Sequence, residues 1–397
     1  MDAADLVWLQ TPAGRAATER ATTLLTSGDE LRALRALGRD CAPHEARAVV
    51  TLVLGRRALA GKLPDADALW CDREAAEQTS HLLVARHLAQ RFSSHRYVAD
   101  LGAGMGGDAL ALAEFARVLA VDRDPARLAM VAANAATRGL TDRIDTVEAD
   151  LNDWEPPAGL DGAWCDPARR DEGDRRLRPE SWSPPLSRAL ALVRHAPGGG
   201  VKLAPGIDLD ALPADAEVEF VSLGRGLRAA VAWVGTLARA ARTATVLDEA
   251  GGAAVLTGDP DAGDVESREP GTYLYDLDPT VGRAGLVERL AADLGAWKLD
   301  ETIAYLSADE ARSTPFARRY RVLAWLPFAE RRLLEVLRAH GAGRVEVTRR
   351  GSPVDTNALE RRLQRALEGD PSRPPLVIAL TRVRGQHVAI VCERDEN

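Results

Sequence analysis

Apolar residues recur at helical spacing along the first part of the chain. The stripe from Val49 to Leu54 follows the i, i+3, i+4 pattern of an amphipathic helix, and 74–92 shows a second stripe of this kind. No residues in this stretch have the spacing of a catalytic motif. We therefore predict a helical N-terminal domain over 1–92.

After Phe92, short apolar strands alternate with helices. The predicted strands are Tyr97–Leu101, Val118–Asp122, Asp145–Asp150, Gly162–Asp166, Val201–Leu203, Val218–Val221 and Ala229–Val234. The predicted helices between them are Ala109–Phe115, Pro125–Arg138 and Leu186–His195. Because strand–helix alternation requires right-handed crossovers, the pattern predicts a doubly wound, mainly parallel Rossmann-like α/β sheet over 93–240.

The C-terminal third has a different order of elements. Residues 241–270 are rich in Ala, Gly and Asp and predict a linker with short strands. After a predicted helix over Arg283–Leu294, the order β-α-β-α-β-β runs from Arg321 to Cys392. We predict a small separate α/β domain over 271–397.

Composition narrows the class of protein. The chain has 397 residues, 46% hydrophobic and 28% charged, which is typical of globular proteins. No apolar run approaches the ~18 residues that cross a bilayer, and the first residues are acidic, unlike a secretory signal. We expect a cytoplasmic protein without membrane contact. The four cysteines form no CxxC pair and no histidine cluster has metal-ligand spacing, so we predict no metal site.

Charge is unevenly distributed. The net charge is −8, yet 312–365 holds thirteen arginines against five acidic residues. Such a patch could bind phosphates. Because the chain has only three lysines among 51 basic residues, however, the abundance of arginine reflects composition and is weak support for function.

The segment 98–108, VADLGAGMGGD, predicts a ligand-binding turn after the first strand. Gly102, Gly104 and Gly107 satisfy the GxGxxG pattern, and Asp122 follows Gly102 by 20 residues, where an acid binds ribose hydroxyls. Glycines allow the backbone to approach a ligand closely. The turn alone does not distinguish NAD from S-adenosylmethionine.

The remaining acidic residues distinguish the two cofactors. Asp100 would face an ammonium group, which S-adenosylmethionine has and NAD lacks. Asp150 and Asp166 end the third and fourth predicted strands at the same sheet edge, where open α/β sheets bind ligands. An aspartate after a strand often only caps the next helix, but four in register with a glycine turn favour S-adenosylmethionine.

The stretch 74–235 resembles the class I S-adenosylmethionine-dependent methyltransferases. The segments that support the resemblance are VADLGAGMGGD, AVDRDP, EADLNDW and WCDPARRD. It implies that the methionine end of the cofactor is held by Asp100, Gly102, Gly104 and Gly106, the ribose by Asp122 and the adenine by Asp150.

The fourth-strand motif bears on the substrate. Amino-methylating members have an acid or amide, two prolines and an aromatic residue here, and the resemblance assigns target presentation to Asp166 and Pro167. Ala168 and Arg169 replace the second proline and the aromatic residue. A guanidinium at Arg169 could stack on a base or hold a phosphate, and Lys202 on the fifth strand points to the same edge.

The chain also resembles a bacterial family with a helical N-terminal part, a methyltransferase domain and a THUMP-like C-terminal domain. The segments DPARRD, VKLAPGI and YLYDLDPTV support this resemblance, which implies RNA, tRNA or rRNA, as the substrate. The C-terminal arginines expected to capture RNA are Arg318, Arg319, Arg321, Arg349 and Arg350.

Three functions remain open at this point. The first is an RNA methyltransferase with S-adenosylmethionine as cofactor. The second is a methyltransferase for a small molecule or a protein, and the third is a non-catalytic RNA-binding protein that retains the cofactor. No pattern in the sequence predicts the oligomeric state.

Overall fold

The computed structural model describes residues 1–168, 178–260 and 263–395. The predicted site residue Arg169 lies outside the described residues. The chain divides into two compact units, Met1–Val218 with Arg228–Arg239, and Glu219–Leu227 with Ala240–Asn397. None of the described helices combines the length and the apolar character needed to cross a membrane.

The N-terminal part of the first unit is helical, as predicted. Its helices are α1 Ala3–Leu9, α2 Pro12–Leu24, α3 Glu30–Leu37, α4 Pro43–Leu59, α5 Arg73–Gln78 and α6 Leu82–Gln90. The predicted helix over 74–92 is two helices, and in this respect the prediction is wrong. The hydroxyl of Thr79 donates to the Ala75 carbonyl and Nδ1 of His81 accepts from the Leu83 N–H, so both side chains bond the backbone locally and interrupt the helix.

A mainly parallel sheet follows. Its strands, with the helices between them, are β1 Tyr97–Leu101, α7 Gly107–Leu112, β2 Arg117–Asp122, α8 Pro125–Thr137, β3 Ile144–Glu148, β4 Gly162–Cys165, α9 Leu186–Val193, β5 Gly198–Leu203, β6 Glu217–Leu223 and β7 Gly226–Gly235. In the first unit the order is β3-β2-β1-β4-β5-β7, with β7 alone antiparallel to its neighbour. The predicted doubly wound sheet is confirmed.

The N-terminal helices share a hydrophobic core with this sheet. Met105 of the glycine turn and Met130 of α8 belong to the same buried cluster as Leu6 and Leu59. Asn134 is fully buried and connects the two parts: its side chain bonds the N–H and carbonyl of Trp70 and the Met105 carbonyl, at 2.7–3.0 Å. The predicted boundary at residue 92 stays a prediction, and the compact unit spans it.

The second unit contains a mixed sheet. Its further elements are β8 Arg242–Leu247, β9 Ala253–Gly258, β10 Tyr273–Leu277, α10 Pro279–Ala284, α11 Val287–Leu294, β11 Trp297–Asp300, β12 Ile303–Ala308, β13 Ala317–Pro327, α12 Glu330–Ala339, β14 Val345–Arg349, α13 Thr356–Ala366, β15 Leu376–Val383 and β16 Gln386–Arg394. Seven strands lie in the order β11-β12-β10-β13-β16-β15-β14.

The predicted β-α-β-α-β-β order of the C-terminal part matches β13 to β16. The single helix predicted over 283–294 is wrong, because Gly285, at φ +70°, separates α10 from α11. Strands β10, β11 and β12 were not predicted. Five of the six residues of β12 are buried, so this strand shows no polar–apolar alternation.

Candidate functional site

The turn after β1 is shaped by three glycines in the left-handed region. Gly102, Gly104 and Gly106 have φ values of +86°, +55° and +90°. The N–H groups of residues 102 and 103 donate to the Val121 carbonyl at 2.9 and 3.1 Å, which ties the turn to β2. A Cβ at Gly102 would lie 3.0 Å from the Asp166 carbonyl oxygen. Positive φ and close packing therefore both require glycine at position 102.

Asp100 lies beneath this turn on β1 and is only 1% exposed. Its Oδ2 atom is buried and has no hydrogen-bond partner among the residues that the structure describes. Burial raises the pKa of Asp100 well above its usual value, and the negative charges of Asp108, Asp166 and Asp122 raise it further. A cation placed at this carboxylate would supply the missing partner and offset the repulsion.

Asp122 and Asp150 lie farther out along the carboxyl edge. The half-buried Asp122 accepts the Gly104 N–H at 2.9 Å and the Asp124 N–H at 3.0 Å, so its carboxylate helps to hold the glycine turn. Asp150 is exposed, two residues beyond β3, and accepts from the backbone and side chain of Asn152. Both aspartates thus have oxygens near the ends of strands β2 and β3.

Asp166 follows β4 and forms an ion pair with Lys202 of β5. The Nζ atom of Lys202 lies 2.5 Å from Oδ2 of Asp166 and 2.8 Å from Oγ of Ser80, and the lysine side chain is only 8% exposed. The same Nζ lies 3.8 Å from Oδ2 of Asp108, which also accepts from the indole N–H of Trp164 at 3.1 Å. A buried cation thus lies among several polar groups.

The structure brings most of the predicted site residues together. Asp100 and Asp166 both lie close to the glycine turn, and Lys202 contacts Asp166 directly. Pro167 is buried directly after Asp166. Sequence reasoning missed Ser80 and Asp108; the position of Asp108 at the end of the GMGGD stretch was a signal that could have identified it.

Comparison with known proteins gives this edge of the sheet a biochemical context. The model of a methyltransferase domain matches residues 98–169, and the model of a THUMP domain-like family matches residues 317–394. Two proteins of Mycobacterium tuberculosis, from strains CDC 1551 and H37Rv, are each described as an uncharacterized S-adenosylmethionine-dependent methyltransferase. Each is 39% identical over 348 residues, which cover 84% of this chain and 92% of the relative. The chain belongs to the S-adenosylmethionine-dependent methyltransferases.

The fold of this methyltransferase is also found in a solved structure. A protein of the methyltransferase fold from Porphyromonas gingivalis W83 superposes with a TM-score of 0.72, at 19% sequence identity, over 90% of this chain and 92% of that one. This likeness confirms the predicted fold, and the family models and the M. tuberculosis relatives confirm the predicted family, enzyme class and cofactor.

The residues present fit S-adenosylmethionine. Oδ2 of Asp100, which has no partner among the described residues, can accept a hydrogen bond from the ammonium group of the methionine end, and the left-handed glycines keep the turn free of side chains. When bound, the cofactor supplies a methyl group already activated on a sulfonium. The methyltransferase itself must bind the cofactor and the substrate, orient them and exclude water.

Proposed function

We propose that this methyltransferase modifies a nucleobase of RNA, either tRNA or rRNA. The observation that supports this most is the THUMP domain-like match over residues 317–394, which coincides with the arginine-rich part of the chain. A domain that captures RNA phosphates through cations would supply the affinity, and the first unit the chemistry.

The arginines that the sequence suggested differ from one another in how available they are to phosphates. Arg319 forms an ion pair with Asp395, and its side chain is 9% exposed. Arg350 bonds Asp276, and Arg349 donates to a backbone carbonyl. Ion pairs thus occupy Arg319 and Arg350, whereas Arg349 remains exposed.

Further exposed arginines lie on two helices, which together form what we term the α12–α13 surface. Its residues are Arg331, Arg332, Arg338, Arg361, Arg362 and Arg365. An ion pair between Arg362 and Glu330 joins the two helices. Arg318 and Arg321 are exposed on β13. We propose the α12–α13 surface as the main RNA contact, because exposed cations release counterions when they meet phosphate.

The proposed roles in the first unit follow the sheet edge. The methionine end of the cofactor is held by Asp100, Gly102, Gly104 and Gly106, its ribose by Asp122 and its adenine by Asp150. Asp166, with Pro167, presents the target nitrogen by accepting its proton in a hydrogen bond, so that catalysis is mainly alignment. Lys202 orients Asp166, and Arg169 contacts the substrate.

The test of this function is transfer of labelled methyl groups. RNA from cells that lack the protein is incubated with the purified enzyme and radiolabelled S-adenosylmethionine, and the modified nucleoside is identified by mass spectrometry. We expect label in one nucleoside, and loss of at least about 100-fold in rate for Asp166→Ala. Label in a metabolite or protein fraction alone would establish the second function instead. Unchanged nucleosides in Asp166→Ala cells would support the non-catalytic function.

RNA capture is tested separately by salt dependence. We expect Arg361→Ala with Arg365→Ala to weaken RNA binding and to reduce the slope of log affinity against log salt by about 1–2. A matched control removes two exposed arginines of α3, Arg32 and Arg35, and should leave the slope unchanged. Equal effects of both double variants would contradict the proposed surface.

A further inference from the structure

A short segment between α5 and α6 contacts the proposed catalytic ion pair. We call Thr79, Ser80 and His81 the 79–81 segment. The hydroxyl oxygen of Ser80 accepts a hydrogen bond from Nζ of Lys202 at 2.8 Å, across 122 positions of sequence. The N-terminal part of the chain therefore contributes a side chain, from between two of its helices, to the proposed active site.

Lys62 holds the 79–81 segment in place. Its ammonium donates to the carbonyls of Ala76 and Thr79 at 2.9 Å each and to that of Glu77 at 2.5 Å. These are orphan carbonyls at the end of α5, where a cation is favoured. The Lys62 carbonyl in turn accepts the Leu82 N–H at 3.0 Å. The segment is thus anchored from both of its ends.

The segment also packs on the cofactor turn. A Cβ at Gly107 would lie 2.7 Å from Cγ2 of Thr79, so only glycine admits the segment this closely. The 79–81 segment therefore contacts both the glycine turn and Lys202. The 79–81 segment thus connects the glycine turn, where we place the cofactor, with Lys202 and Asp166, where we place the methyl acceptor.

Lys202 has a second carboxylate within reach. Its Nζ lies 3.8 Å from Oδ2 of Asp108, whose other oxygen is buried and has no partner among the described residues. Coulomb attraction therefore pulls Nζ toward Asp108 as well as toward Asp166. The Ser80 hydroxyl accepts a hydrogen bond from the Lys202 ammonium and so favours the observed position against Asp166.

We propose that Ser80 is a positioning residue that holds the Lys202 ammonium against Asp166 and thereby fixes the carboxylate that presents the target nitrogen. This inference rests on the proposed role of Asp166. Without the hydroxyl, Nζ moves toward Asp108 and the Asp166 carboxylate loses its fixed orientation. Misplacement of a catalytic group by about 1 Å can cost on the order of 100-fold in rate.

The low lysine content allows a direct spectroscopic test. Only Lys62, Lys202 and Lys298 are lysines, so protein labelled with 13C at the lysine Cε position gives three side-chain signals. Lys202→Met assigns one of them. We expect Ser80→Ala to shift the Lys202 signal and leave the Lys298 signal unchanged. Ser80→Thr keeps a hydroxyl and should retain the native position, and the exposed Ser94→Ala is the matched control.

Kinetics supply the second readout. Using RNA from cells that lack the protein as substrate, we expect Ser80→Ala to lower kcat about 10–100-fold with KM for S-adenosylmethionine unchanged. Ser80→Thr should restore most of the rate. An unshifted Lys202 signal in Ser80→Ala, or a rise in cofactor KM with kcat intact, would overturn the inference. Absence of transfer to RNA by the wild-type protein would refute the proposed function instead, and the Lys202 signal would still report on Ser80.

Discussion

Replacing Asp100 by asparagine separates the effect of its buried charge on cofactor binding from the effect on folding stability. Asp100 is 1% exposed, lies near three other carboxylates and has one oxygen without a partner in the described part of the chain. Asparagine keeps the shape and a carbonyl oxygen but removes the negative charge. We therefore expect weaker cofactor binding and a more stable free protein, because the charge is costly until an ammonium group arrives.

The size of the binding effect follows from the lost charged hydrogen bond. Hydrogen bonds to charged groups contribute about 1.5–3 kcal/mol, and every 1.4 kcal/mol is about tenfold in affinity. We expect Asp100→Asn to weaken S-adenosylmethionine binding by about 10–100-fold. The product S-adenosylhomocysteine keeps the ammonium, so its binding should weaken by the same factor. The ratio of the two dissociation constants should therefore not change.

The pH dependence has a definite sign. Burial and the neighbouring acids raise the pKa of Asp100 in the free protein, and a bound ammonium lowers it, so binding releases a proton. Affinity should rise with pH, by at most about tenfold per unit, below the cofactor's own amino pKa of about 7.7–8.0. Calorimetry in two buffers of different ionisation enthalpy counts the protons released. The Asp100→Asn variant should release fewer.

The folding stability of the free protein should change with pH in the direction opposite to the cofactor affinity. Because the folded pKa of Asp100 lies above the unfolded one, the wild-type protein loses stability as pH rises from about 4 toward the raised value. Asp100→Asn lacks this loss, so its denaturation midpoint should exceed the wild-type midpoint increasingly with pH. Wild-type cofactor affinity with the wild-type pH slope in this variant would refute the assignment of the ammonium to Asp100.

Two further substitutions, Gly102→Ala with its control Gly139→Ala, and Asn134→Ala, test the architecture. Gly102→Ala, at φ +86° and 3.0 Å from the Asp166 carbonyl, should cost about 1–2 kcal/mol of stability and also weaken calorimetric cofactor binding. Gly139→Ala, at φ +69° in open space, should show the stability loss alone, and equal cofactor effects would contradict the packing argument. Asn134→Ala removes the partner of three backbone groups, a buried carbonyl on Met105 and two part-buried groups on Trp70. At about 1–3 kcal/mol per group it should lower the urea midpoint strongly, and a midpoint near wild type would refute the link.

The sheet and its acidic edge were predictable because their signals are local. Strands β1, β2 and β4 are short apolar runs with an acid at or next to the carboxyl end, and the carboxyl ends of parallel strands share one edge. This places Asp100 and Asp166 together, as observed. The parallel register between Asp100 and Trp164, which sets their spacing, follows from pairing across the sheet.

The contacts that complete the site were not predictable, because they join distant segments. Ser80 meets Lys202 across 122 positions, and Asp108 meets Trp164 across 56. No periodicity or motif reports such pairs. The availability of the C-terminal arginines was also hidden, since Arg319 meets Asp395 across 76 positions. Arginine abundance in the sequence therefore did not reveal which side chains remain exposed.

Lysine usage is the feature of the sequence that could have indicated the site. In a chain with three lysines among 51 basic residues, each lysine position is a candidate for a place where arginine fits poorly. Lys202→Arg tests this reasoning. A guanidinium is planar and larger than an ammonium, so arginine does not reproduce a compact cation that lies 2.5 Å from Asp166 and 2.8 Å from Ser80 in so buried a position.

We expect Lys202→Arg to keep its positive charge and its calorimetric affinity for S-adenosylmethionine, yet to lose methyl transfer by about 10–100-fold. Lys298→Arg is the matched control, because Lys298 forms an ion pair with Glu288 in the second unit and should tolerate the change. Charge alone predicts no effect of either substitution. A fully active Lys202→Arg enzyme would therefore show that the site needs only a cation, and not the compact ammonium that Ser80 and Asp166 share.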